Sequence, residues 1–153
     1  MSLREKYLRN RLSSSLVDKD NAKYISDYLT AIKSEINPSL NYQKDIFNVL
    51  CVLSKNTKNK PFRKMQRNDI VSFLDSFRKP QSVDPMHKWI GTYNIYLIHT
   101  VRFFKWLYHP NLDPKKRPKP IVVDNLPQLK RKEQSIYRPT DLWTTEDDLL
   151  FLR

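Results

Sequence analysis

Apolar positions recur along much of this chain at intervals of three and four, the repeat that lines one face of an α-helix. Ile25, Tyr28, Leu29, Ile32 and Ile36 follow that spacing and predict a helix from about Asp20 to Ile36, which Asn37 and Pro38 stop. Ser39 or Asn41 can cap a second helix running to about Lys55. Its residues Ile46, Phe47, Val49, Leu50, Cys51, Val52 and Leu53 are apolar almost all round, which predicts a central place in a bundle. Ile70, Phe73, Leu74 and Phe77 mark a third helix. Pro80 and Pro85 bracket the next connection, and Trp89 to Tyr108 forms the longest and most aromatic helix. Ile90, Tyr93, Leu97, Val101, Phe104 and Tyr108 are its expected core stripe, with Lys88, Thr92, His99 and Arg102 on the opposite face.

The segments between and around these helices read differently. Asn56 to Gln66 (NTKNKPFRKMQ) is polar and basic, and Pro61 bars a helix through it, so it is a candidate phosphate-contacting loop. From His109 onward, Pro110, Pro114, Pro118, Pro120, Pro127 and Pro139 alternate with clusters of Lys and Arg, a composition that predicts an extended basic linker ordering on its partner. A weak apolar run, Ile121 to Val123, is the nearest thing to a strand signal. Thr144 or Thr145 followed by Glu146, Asp147 and Asp148 reads as an N-cap and acidic first turn of a further helix. The expected organisation is a basic N-terminal arm over 1–19, a helical domain over 20–109, a linker over 110–142 and the first residues of a second domain over 143–153. The fold class is all-α.

Composition narrows the partner. In 153 residues, 28 Lys and Arg face 16 Asp and Glu, a net charge of +12 with a pI near 9.8. Clustered cations of this excess gain free energy by displacing counterions from phosphates, so an acidic partner is implied. The apolar runs fall short of the ~20 residues of a spanning helix, which argues against a membrane partner and for a cytoplasmic protein, and the acidic partner implied by the charge makes nucleoid association the expectation. The lone Cys51 has no second Cys for a disulfide or zinc spacing and reads as core. The lone Gly91 leaves no phosphate-cradling loop or dinucleotide fingerprint, so neither cofactor nor small-molecule substrate is expected.

Three stretches carry a resemblance: DPMHKWIGTYN from Asp84 to Asn94, RFFKWLYHP from Arg102 to Pro110, and RPKP with LPQLKRKEQSIYRPTDLWTTEDDLLFLR from Leu126 to the end. With four helices and a basic linker around them, they resemble the first half of the tyrosine recombinase, or phage integrase, family of site-specific recombinases, the archaeal integrases in particular. The resemblance covers roughly Ala22 to Arg153 and implies a SAM-like four-helix core-binding domain forming one jaw of a clamp on duplex DNA. It also implies that Trp143 to Arg153 opens a catalytic domain whose Arg, Lys, His-x-x-Arg box and nucleophilic Tyr lie past Arg153, so this chain is expected not to be an enzyme. His99 and Arg102 spell His-x-x-Arg by coincidence, since they sit in the long helix ahead of the linker.

The likeness implies that the second and fourth helices approach the major groove. Candidate contacts are Asn41, Tyr42 and Lys44 on the second, and Lys88, Gly91, Thr92 and Asn94 at the start of the fourth, where Gly91 and free helix N–H groups suit a phosphate and Asn94 suits a base edge. His99 and Arg102, three apart, share a face and suit a phosphate. Lys55, Lys58, Lys60, Arg63, Lys64 and Arg67 flank the groove as backbone contacts, and Lys115, Lys116, Arg117, Lys119, Lys130, Arg131 and Lys132 track it from the linker. Most aromatic residues of the fourth helix are expected in the core. Tyr96 and Trp106 fall off the main stripe and suit contact with other recombinase protomers in a full-length complex. The rival reading is a non-enzymatic basic helical module that binds RNA or an acidic protein.

Overall fold

The computed structural model describes residues 17–130. Over these residues the chain is all-α, with four α-helices and no strand. The helices are α1 (Lys19–Glu35), α2 (Leu40–Asn56), α3 (Arg67–Asp75) and α4 (Trp89–Tyr108), joined by 3₁₀ turns at Phe62–Lys64, Pro114–Lys116 and Ile121–Val123. Residues 1–16 of the arm expected over 1–19, the residues Arg131 and Lys132, and the start of a second domain at 143–153 lie outside the described residues, and Asp18 and Lys19 belong to the start of α1.

Local chemistry sets the boundaries. Asp18 caps α1 by accepting from the Asp20 N–H, and Ser39, rather than Asn41, caps α2 by accepting from the Tyr42 N–H at 3.1 Å. The Asp69 carboxylate folds back onto the Gln66 N–H at 2.8 Å and also accepts from Lys60 Nζ at 2.8 Å. Those two contacts, the Gln66 N–H first, hold the Asp69 carboxyl below its ordinary pKa. At the head of α4, Asp84 accepts from the Trp89 N–H at 2.9 Å, while Ile90 and Gly91 donate to the carbonyls of His87 and Lys88. Among the described residues, Lys58, Asn59, His87 and Asn125 take positive φ. Gly91, by contrast, sits inside helical backbone.

The core lies where α2 and α4 meet α1 and α3, and α2 buries Ile46, Phe47, Val49, Leu50, Cys51 and Leu53, as its all-round apolar pattern predicts. Phe62 occupies the centre. It has no exposed surface, and its ring meets Tyr24, Phe103 and Phe104 with centroids 4.8–6.4 Å apart. The basic segment 56–66 is therefore not wholly a surface loop: Phe62 and Met65 are buried, and the chain between them and α2 is tied down by polar contacts. Asn21, fully buried on α1, donates to Ser54 Oγ (2.9 Å) and the Lys60 carbonyl (3.0 Å) and accepts from the Phe62 N–H (3.1 Å).

The proline-rich segment departs furthest from expectation. Instead of an extended linker, residues 110–130 turn twice and pack back on the bundle, burying Val122 and Val123 against α3 and α4. The apolar run read as a weak strand signal is a 3₁₀ turn that plugs the core. Three polar clasps hold it. Arg117 grips Glu35 through both carboxylate oxygens (2.6 and 3.3 Å) and donates to the carbonyls of His109 and Pro110. Arg67 donates to the carbonyls of Asp124 and Asn125, both at 2.9 Å. Asn94 closes a two-way pair with the Leu129 backbone, donating to its carbonyl and accepting from its N–H, each at 2.9 Å.

Candidate nucleic-acid interface

Helical geometry places Lys88, Thr92, Ile95, His99 and Arg102 on one stripe of α4, since successive steps of three and four return to the same face. Lys88, Thr92, Ile95 and Arg102 are exposed along it. His99 is not: it is buried, and the Tyr42 ring from α2 meets its imidazole edge-on at 5.4 Å. The expected polar face is thus interrupted, because α2 packs over α4 from the side that α4's own periodicity marks as polar. Burial pushes the His99 imidazole below its ordinary pKa, with Arg102 adding to the shift and Asp45 opposing it.

Arg102 Nη1 donates to the Tyr42 hydroxyl at 2.7 Å. Three of the sequence candidates therefore meet, with Tyr42 sixty residues before Arg102: Tyr42, His99 and Arg102 join the start of α2 to the exposed stripe of α4. Asn41 is exposed beside them and Lys44 is half-buried.

On the segment after α2, Lys58, Arg63 and Lys64 are exposed. Lys60 is committed to Asp69, and Arg63 Nη2 donates to the Leu107 carbonyl (3.2 Å) with its guanidinium 5.7 Å from the centre of the Tyr108 ring. This segment is brought beside the C-terminal end of α4, and Arg67 extends it onto residues 110–130, the docked strap. On the strap itself Lys115, Lys116, Lys119 and Lys130 are exposed.

Several candidates have their polar groups already engaged. Arg117 is buried in its pair with Glu35, the Asn94 amide is occupied on both sides by Leu129, and Arg67 is turned onto two carbonyls. The first N–H groups of α4 are also taken, including that of Gly91, so a free N–H cradle at that helix start is absent. Tyr96 and Trp106, expected off the core, pack against it: Tyr96 meets Phe73 and Phe77, and Trp106 meets Tyr28 and Phe103. Sequence reasoning passed over Lys105, which shares a face with Arg102 three residues earlier and lines with it a cleft between α1, α2 and α4.

Among the described residues no helix is long and apolar enough to cross a membrane, and no group of three His, Cys, Asp or Glu is placed to hold a metal ion. No protein-family model, no curated protein and no solved structure matches the chain.

Proposed function

We propose that this chain binds duplex DNA as the SAM-like core-binding part of a tyrosine recombinase of the integrase type, with strand cleavage belonging to a catalytic domain outside these residues. The reading rests on the resemblance in sequence, on the charge excess of +12 and on the all-α bundle. The observation that favours it most is the 2.7 Å contact from Arg102 to Tyr42, which makes one continuous surface of the start of α2 and the exposed stripe of α4.

On this reading Lys88 and Thr92 face the groove with Asn41, while Lys58, Arg63 and Lys64 after α2 and Lys115, Lys116, Lys119 and Lys130 on the strap meet phosphates on its flanks. Arg117 and Asn94 act on the duplex indirectly, by fixing the strap that carries those lysines. Phosphate contacts position the protein, and sequence choice falls to the few side chains that reach base edges. The core-binding unit then extends through about residue 130, because the strap is part of its core.

Fluorescence anisotropy against a labelled ~30-base-pair duplex at several salt concentrations tests this, with single-stranded DNA and RNA as competitors. If about six phosphates are neutralised, log K falls with log salt at a slope near −5, and replacing Lys58 or Lys64 by Gln reduces that slope by about one each. Equal competition by RNA at equal charge, or no duplex binding at low salt, refutes the proposal; the first outcome returns the basic RNA or acidic-protein module.

A further inference from the structure

The C-terminal half of α1, the start of α2, the second half of α4 and the turn at Pro114 enclose an open cleft of about 360 Å³. That is within the range of small-ligand pockets, roughly 300–1,000 Å³, and well beyond the ~30 Å³ of a water. Its surface is divided. Tyr28, Ile32, Ile36 and Pro114 give an apolar wall, and Arg102 and Lys105 bring two cations from one face of α4. Tyr28 stands close enough to Tyr42, Arg102, Glu35 and Arg117 for their fields to reach its phenol, which burial already pushes above its ordinary pKa.

Charge balance in the cleft is uneven. Its one carboxylate, Glu35, is engaged bidentately by Arg117. Among the described residues no carboxylate pairs with Arg102 or Lys105. Arg102 uses Nη1 on the Tyr42 hydroxyl, an oxygen that keeps its own O–H to donate, so two cations and a hydroxyl line a recess whose other walls are apolar.

We propose that this cleft binds a small organic phosphate monoester. Arg102, Lys105 and the Tyr42 hydroxyl hold the phosphoryl group, and an apolar or aromatic body lies against Ile32, Ile36 and Pro114. A bare phosphate leaves most of the volume and all of the apolar wall unused, and an uncharged ligand makes no use of the two cations that line the cleft. The same chemistry fits a free metabolite or a nucleotide 5′-phosphate. This adds a small ligand to a partner list drawn from the sequence as duplex DNA, and it does not depend on duplex binding.

The test is a titration of the whole chain, without DNA, with phenyl phosphate, adenosine 5′-monophosphate and inorganic phosphate, followed by NMR at the Arg side-chain Nε–H and Lys Nζ resonances. The expected result is saturable shifts at Arg102 and Lys105, with an organic phosphate binding several-fold tighter than inorganic phosphate. A preference between the two organic probes identifies the source. Lys105→Gln, which leaves every candidate duplex contact in place, should weaken binding at least about tenfold, as expected for one charge-assisted hydrogen bond. Arg102→Gln should do the same, and circular dichroism checks that both variants keep the wild-type fold. Non-saturating shifts spread over Lys58, Lys64 and Lys115 alike, or unchanged affinity in folded Lys105→Gln, overturn the proposal. Failure of the duplex titration leaves it standing, and the converse also holds.

Discussion

Replacing Glu35 by Met should be among the most damaging single changes in the bundle, and its size follows from the surroundings of Arg117. The Arg117 side chain is 5% exposed and Glu35 22%, and they meet at 2.6 Å. Removing the carboxylate leaves a guanidinium that stays out of water with only the carbonyls of His109 and Pro110 to accept from it. Breaking a buried pair from one side costs about 3–5 kcal/mol, and partial exposure of Glu35 argues for the lower end, about 3 kcal/mol. Arg117→Met should cost less, about 2 kcal/mol, because Glu35 can turn towards water once released. The double variant should cost less than the sum of the two, by about 1 kcal/mol or more. Urea unfolding followed by far-UV circular dichroism measures all three. For Glu35→Met the midpoint should fall by about 1–3 M at the slopes usual for small domains. Lys23→Met is the control. Its pair with Asp27 has side chains 77% and 50% exposed, so it should change stability by under about 0.5 kcal/mol. If Glu35→Met costs no more than that control, the Arg117–Glu35 pair does not hold the strap.

Asn21→Ala should destabilise by about 2–4 kcal/mol in the same assay, since it orphans the Phe62 N–H and strips Ser54 and Lys60 of a donor at a fully buried position. Asn94→Ala should leave global stability close to that of the parent but speed hydrogen exchange of the Leu129 amide selectively; unchanged exchange there would mean the clasp carries no weight. The lowered pKa of His99 means that the unfolded chain binds its proton more readily than the folded one. Its contribution is therefore whole above about 6.5, the ordinary imidazole value, and is lost as pH falls through the lowered one. His99→Gln should flatten stability against pH in the mildly acidic range, and an unaltered profile would argue against a buried neutral imidazole.

The helices were legible because each carries its own evidence: an apolar stripe of the right period, and a capping or stopping residue at the end. Ser39 and the Asn37–Pro38 stop do in space what they do in sequence, while the Asp18 cap of α1 is supplied by the structure. The strap was not legible. Proline density describes what the local backbone disfavours, whereas the docking of Val122 and Val123 depends on a vacancy between α3 and α4 that no local pattern encodes. The same limit governs the site. Helical spacing put His99 with Lys88, Thr92 and Arg102, but a single helix's period cannot reveal that a second helix covers the polar side. Arg67, Asn94 and Arg117 counted as available because a sequence counts charges and amides, not their partners, and Arg117 meets Glu35 across 82 positions. Phe62 was hidden for a related reason: one aromatic residue among lysines looks like part of a loop until neighbouring helices close on it.

The docked strap also bears on how the chain comes off the ribosome. Ile70, Phe73 and Leu74 on α3 are synthesised well before α4 and the turn at Ile121–Val123 that complete their burial. At typical elongation rates the interval between Asp75 and Leu129 lasts roughly 3–10 s, during which that apolar face has no mate of its own. The α1–α2 hairpin can form early, but the second half of the bundle must wait. A nascent chain paused short of Val123 therefore offers a ready surface to chaperones, and synonymous codon changes between Asp75 and Leu129 should alter the yield of folded protein more than the same changes placed after Lys130.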